Sequence, residues 1–347
     1  MSERRCYLDV GVGEARGVVT LDGRPERLLI WRDGDCEAQR LGARLVTRVR
    51  RVERAQAMAF LELCDGPDAV LNVTPEVGRL VEGQAVEVEL RSEARAGKGA
   101  TARLIGPAEG PPRVLAPGPG IEEQLRSFVR EAQLILGPVA RTMADGAQDE
   151  ALQTVFALPG GGSLAVEPTR ALVAVDVDLG SRVGGEAKRA ARTANFAALA
   201  ATARVLRLKG LGGLVVVDLI GRGHDGPAMI AAARAAFAPD NPGVALGPVS
   251  RFGALELTVP RRARGAWDIL GDGEGEGSAL TQALTVVRAL EREAIADGGG
   301  RFEAVAATEV ADAAGPALEA LRARLGARVA VRGNAGLTRT QYEVARL

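Results

Sequence analysis

Hydrophobic and polar positions change period several times along the chain, and the clearest change lies between residues 163 and 220. Residues 171–178 (ALVAVDVD) are β-branched and apolar apart from two acids, which predicts a buried strand. Residues 186–209 are rich in Ala, Arg and Leu and contain neither Pro nor Gly, which predicts a helix. Gly210 is a suitable residue to end it, and Arg204, Arg207 and Lys209 complement the negative end of its dipole. Residues 214–220 (LVVVDLI) predict a second strand, with glycines after it. A strand–helix–strand crossover makes the two strands parallel, with both carboxyl ends at one edge. Asp176 and Asp178, two apart, point to one face. Parallel pairing then gathers Asp176, Asp178 and Asp218 in one crevice.

The flanking segments read differently. Residues 5–36 predict short strands, with turn signals at Leu21-Asp-Gly-Arg24 and Arg32-Asp-Gly-Asp35. Alternation at 43–52, 57–64, 69–73, 84–90 and 101–105 predicts five consecutive short strands. Residues 106–120 (GPAEGPPRVLAPGPG) read as a linker, and 121–136 as an amphipathic helix. Further on, 278–296 predicts a helix with Ser278 as N-cap. Residues 302–347 then alternate strand and helix, with a helix at 315–325 and a strand at 327–331. The fold class is α+β and multidomain.

Composition narrows the function classes. A 347-residue chain with 47% hydrophobic and 25% charged residues is a globular protein, neither disordered nor membranous. With 3% aromatics, its cores are built from Val, Leu and Ala. Its formal charge is zero, so contact with a nucleic acid must come from local patches. One such patch surrounds the first of those five strands, with Arg40, Arg44, Arg48, Arg50, Arg51 and Arg54. Cys6, Cys36 and Cys64 are widely spaced and show no CxxC pattern, which excludes a disulfide framework and fits a reducing compartment. No export signal and no long apolar stretch is read, so the expected location is cytoplasmic.

The chemistry points first to the three aspartates. Converging carboxylates repel one another unless a cation lies between them, and Mg²⁺ suits a few carboxylates together with waters and a phosphate. The alternative is that each Asp merely starts a turn. On the intervening helix Lys188, Arg192 and Asn195 share a face, either as phosphate contacts or as a solvated polar stripe. His224, the only histidine, serves either proton transfer or a plain surface loop. Gly11-Val-Gly-Glu-Ala-Arg-Gly17 has the wrong spacing for a dinucleotide loop and no long helix after it.

Three runs carry a family resemblance. LPGGGSLAVEPTRALVAVD (158–176) and ARVLRLKGLGGLVVVD (203–218) resemble the approaches to the two metal-binding aspartates of the ribonuclease E/G family of endoribonucleases. SRFGALELT (250–258) is similar to the segment that closes the same domain in that family. The resemblance implies an RNase H-like domain (1–38 and 118–153) interrupted by an S1-type OB barrel (39–107). A DNase I-like catalytic domain (154–265) and a small C-terminal domain (276–347) follow. It implies Mg²⁺ on Asp176 and Asp218, with Asp178 in place of the family's usual Asn and Gly221 in place of a further Asp. Phe60 matches a base-stacking Phe, although a core role is equally open to it, and an aliphatic near Val70 stands where the family has a second aromatic. Lys98 matches a basic loop of the barrel, and Asn195 matches a family Asn.

The resemblance also implies single-stranded RNA as partner and a homodimer through the C-terminal domain. With no cysteine beyond Cys64, the family's zinc link is not expected. No room is seen for the insertion that senses the RNA 5′ phosphate. The expected function is Mg²⁺-dependent cleavage of single-stranded RNA by metal-activated water. The alternatives are a catalytically weak or inactive RNA-binding paralogue and, more remotely, a metal-dependent DNase or phosphoesterase.

Overall fold

The computed structural model describes residues 3–347 except 76, 96–97, 130–132, 181–186, 222, 240–242 and 274–276; of 187 and 188 only the backbone is described. The chain divides into two compact units, 1–34 with 131–152 and 266–347, and 35–130 with 153–265.

In the first unit, Arg4–Val10, Glu14–Leu21 and Arg24–Arg32 form an antiparallel meander, and Leu134–Ile135 adds to it in parallel. The turn at Asp22-Gly23 is a tight hairpin, with φ of 49° and 80° and Leu21 paired to Arg24. The second Asp-Gly signal is not a hairpin. Arg32 ends its strand, and the Asp33 N–H donates to the Gly13 carbonyl instead (3.1 Å). The helix expected over 121–136 stops at Phe128, because Leu134 and Ile135 pair with Cys6 and Tyr7 at the sheet edge. Edge pairing overrides a weak helical pattern there.

The C-terminal segment belongs to this same unit. The Ala279–Ala296 helix is capped by Ser278, whose Oγ accepts from Thr281 N–H (3.2 Å). It packs Leu284, Val287 and Leu290 into a core with Phe302, Val310, Leu321 and Val12. A three-stranded sheet orders Val329–Gly333, Phe302–Ala306 and Tyr342–Arg346.

The second unit holds a closed barrel and a six-stranded sheet. Arg44–Glu53, Met58–Glu62, Ala69–Asn72, Thr101–Pro107 and Ala85–Ser92 pair in a ring around Leu45, Val49, Leu61, Leu71, Val88 and Leu90. The expected linker is partly structured: Arg113–Ala116 pairs antiparallel with the first barrel strand. The Glu93 backbone N–H donates to the Arg262 carbonyl (2.7 Å), and its carboxylate accepts from Leu41 and Arg264 N–H (3.1 and 2.7 Å). That clasps the barrel to the end of the second sheet.

That sheet orders Val155–Ala157, Ser163–Pro168, Val173–Asp178, Gly213–Asp218, Ala254–Val259 and Ala245–Val249. Its one parallel pair is Val173–Asp178 with Gly213–Asp218, joined by the Ala187–Lys209 helix. The helix ends at Gly210 (φ 67°), whose N–H donates to Arg207 while Leu211 N–H donates to Leu206 (3.2 and 2.9 Å). This is a Schellman ending, and it turns the chain straight into the next strand.

Candidate functional site

Two strands set the site. Val175 and Val177, and beside them Val215 and Val217, are buried on one side of the sheet. The period-2 alternation therefore puts Asp176, Asp178 and Asp218 on the other side, where all three are exposed. Asp176 and Asp218 are direct register partners, so their Cα atoms lie about 4.8 Å apart. The next partners in that row are Ala165 and Ala254, whose small side chains leave the space beside the carboxylates open.

Asp178 stands two residues beyond, opposite Ser163. Its Oδ1 accepts from Gly180 N–H (2.9 Å), an Asx turn at the strand end. Among the described residues, no three His, Cys, Asp or Glu side chains form a group able to hold a metal ion. The expected three-carboxylate crevice is therefore a pair with a third acid further along. Two flanking acids, Glu167 and Glu256, lie on the same exposed face one row back. The face is acidic, and an anion would approach it only with a cation present.

Gly162 permits the close approach at the end of this row. It has φ 92°, and a Cβ there would lie 2.4 Å from the Asp178 carbonyl oxygen. The Pro159–Gly162 loop in the first resemblance run is thus built by backbone packing.

The helix residues diverge. Arg192 is exposed, ion-paired with Asp225 (3.4 Å) and set over the Phe196 ring (5.6 Å). Asn195 is 1% exposed; its Nδ2 donates to the Ile220 carbonyl (3.1 Å) and its Oδ1 accepts from Ile220 N–H (3.0 Å). Asn195 is therefore a clamp on the chain just past Asp218. The Lys188 side chain lies outside the described residues.

Past Asp218 the His224 ring is half-buried, with Nε2 against the Gly221 carbonyl (3.1 Å). Asp225 caps the Gly226–Phe237 helix by accepting from Ala228 N–H (3.2 Å). This cap escaped the sequence reading, although Asp-Gly-Pro is a helix-start signal. A cavity of about 500 Å³ opens here, lined by Leu179, Asn195, Ile220, His224, Asp225 and Met229 among others. Neither Asp176 nor Asp218 lines it.

In the barrel, Ala59 and Leu61 face the core, so Phe60 faces out. Its register partners are Arg51 and Val70, and the Arg51 guanidinium lies 4.5 Å from the ring centroid. Phe60 is thus a half-buried surface residue rather than a core residue. Lys98 is exposed, its N–H donating to the Arg95 carbonyl (2.8 Å), and a Cβ on the next residue, Gly99, would lie 2.8 Å from the Asp68 carbonyl oxygen.

Another buried cation was not foreseen. Lys209 is 0% exposed; its ammonium donates to the Gln153 carbonyl, lies 5.5 Å from the Phe156 ring centroid, and is pushed down to about 8 by burial.

Residues 123–262, which carry both aspartates, match the profile of the Ribonuclease E/G family. Over that segment the chain resembles the ribonuclease E/G family. It is 28% identical over 197 residues to ribonuclease E of Haemophilus influenzae, covering 53% of this chain and 21% of that protein. With ribonuclease E of Escherichia coli K12 the identity is 28% over 173 residues, covering 47% and 16%. A chloroplastic ribonuclease E/G-like protein of Arabidopsis thaliana is 34% identical over 109 residues, covering 30% and 11%. The matched segment thus spans about a fifth or less of these relatives. No helix among the described residues is long and apolar enough to cross a membrane.

Proposed function

We propose that this chain is an endoribonuclease that cuts single-stranded RNA. The observation that carries the reading is the register pairing of Asp176 with Asp218 on an open face, flanked by alanines. Two exposed carboxylates side by side suit Mg²⁺, which keeps several waters and takes one or two carboxylates plus a substrate phosphate. When bound, the ion supplies an activated water and neutralises the charge of the transition state. Asp176 and Asp218 would hold it. Asp178, fixed by the Gly180 N–H, would orient a water or the phosphate from the carboxyl side. In-line attack forms a bond from the water oxygen to phosphorus and breaks the bond to the 3′ oxygen. The products are a 5′ phosphate and a 3′ hydroxyl.

The barrel supplies grip. Phe60 offers a ring to a base, while Arg51 and Lys98 follow the backbone, as in other OB barrels that hold single strands. Within this reading the first unit contains an RNase H-like scaffold and the second a DNase I-like catalytic sheet. The C-terminal strands and helices serve homodimerisation without a zinc link, and the protein works in the cytoplasm.

A second reading, a non-catalytic RNA-binding relative, draws on the lack of a third carboxylate beside the pair among the described residues. A gel assay with labelled single-stranded RNA, with and without Mg²⁺, separates the two. Shortened products that require Mg²⁺ support the enzyme; retarded but intact RNA under both conditions sinks it.

A further inference from the structure

We propose that the cavity beyond Asp218 receives one nucleobase of the bound RNA strand, turned out next to the phosphate held at Asp176 and Asp218. The inference rests on the endoribonuclease reading and names a subsite of it. The cavity, about 500 Å³, is of the size that small-molecule sites take. Leu179, Ile220 and Met229 give it apolar walls. The Asn195 amide has its oxygen and nitrogen engaged with the Ile220 backbone, so that wall asks nothing polar of a ligand. The polar groups sit toward the loop: the His224 ring, steadied by the Gly221 carbonyl, and the Arg192 guanidinium.

An apolar slot with polar groups at one border matches a base, which is apolar on its faces and hydrogen-bonding along its edge. Arg192 adds a cation whose pair with Asp225 is long and exposed, hence weak, and able to exchange for a phosphate. The position is suitable as well. Ile220 follows Asp218 by two residues, just past the end of its strand, at the carboxyl edge where α/β sheets bind ligands. The carboxylates lie on the open face, and the cavity lies between the Ala187–Lys209 helix and the chain that follows Asp218. A base reaches it by leaving the stack, which single strands do readily.

The test uses the full chain and a set of labelled single-stranded RNA decamers, each with one abasic site, read by fluorescence anisotropy and by cleavage in Mg²⁺. One abasic position should weaken binding roughly fivefold or more, the lower end for a stacked base. That penalty should fall below twofold in Ala191→Phe, which fills the cavity from the helix surface, and in His224→Ala, both checked for folding by circular dichroism. No position-dependent penalty, or the same penalty in both variants, overturns the subsite. A penalty without any cleavage supports the subsite and removes the nuclease reading; cleavage without a penalty does the reverse.

Discussion

Asp176 and Asp218 stand opposite each other on adjacent parallel strands, although 41 residues separate them in the chain. The crossover helix is responsible: its Schellman ending at Gly210 delivers the second strand in the register that aligns the two acids.

Asp176→Asn or Asp218→Asn should lower Mg²⁺-dependent RNA cleavage on the order of 10²–10³-fold, the scale for losing one electrostatic stabiliser. Both side chains are exposed, so the melting temperature should hardly move. Cleavage gels beside thermal melts give the answer, and undiminished cutting by either variant removes that residue from the mechanism.

Asn195→Ala should destabilise the second unit by about 1–3 kcal/mol, because the Ile220 N–H and carbonyl lose their partner. Cleavage should fall too, since the chain past Asp218 loosens. Urea denaturation measures the first effect, and unchanged stability would mean that Asn195 is no clamp.

Lys209 makes stability depend on alkaline pH. Its ammonium titrates at about 8 when folded against its ordinary 10.5, so between those values the unfolded chain binds the extra proton. Stability therefore rises with pH across that window, and below pH 8 the full cost of burying the charge is present. Relative to Lys209→Met, wild type should recover on the order of 3 kcal/mol from pH 8 to 10.5, at about 1.36 kcal/mol per pH unit. Denaturation curves of both proteins at several pH values test this; a flat difference contradicts it.

The sequence shows no room for the insertion that senses the RNA 5′ phosphate, and Arg141, whose pair with Thr142 echoes an Arg-Thr pair of that sensor, is already held by Asp9 (3.3 Å) and Glu291 (3.2 Å). Cleavage should therefore be indifferent to the RNA 5′ end, with rates for 5′-monophosphate and 5′-hydroxyl substrates within about twofold. A large preference for the monophosphate, measured on otherwise identical oligoribonucleotides, would overturn this.

Arg16 is fully buried among Asp9 (2.6 Å), Asp145 (2.8 Å) and Gln148 (3.1 Å). Arg16→Met should cost about 3–5 kcal/mol, because buried Asp9 loses its nearest cation and keeps the longer pair with Arg141 (3.3 Å). Chemical denaturation followed by circular dichroism would show it.

Local pattern made much of this chain legible. The valine-rich strands around Asp176 and Asp218, the helix between them, the five barrel strands and the Ser278 cap follow from period, propensity and capping chemistry over a few residues. Elements settled by distant partners were misjudged. Residues 134–135 became strand because Cys6 and Tyr7 offered an edge, and 113–116 because the first barrel strand did. Outward-facing Phe60 could not be told from a core residue, because only the closed ring of strands defines inside and outside.

The sequence by itself determined which residues carry charge at the ends of two strands, and helical spacing put Arg192 and Asn195 on one face. Only the tertiary structure decided that Asn195 is spent on Ile220 while Arg192 stays at the surface, and that Asp178 turns to Gly180. The physical reason is that periodicity reports the direction of a side chain, whereas its role depends on which backbone groups arrive from far along the chain to meet it.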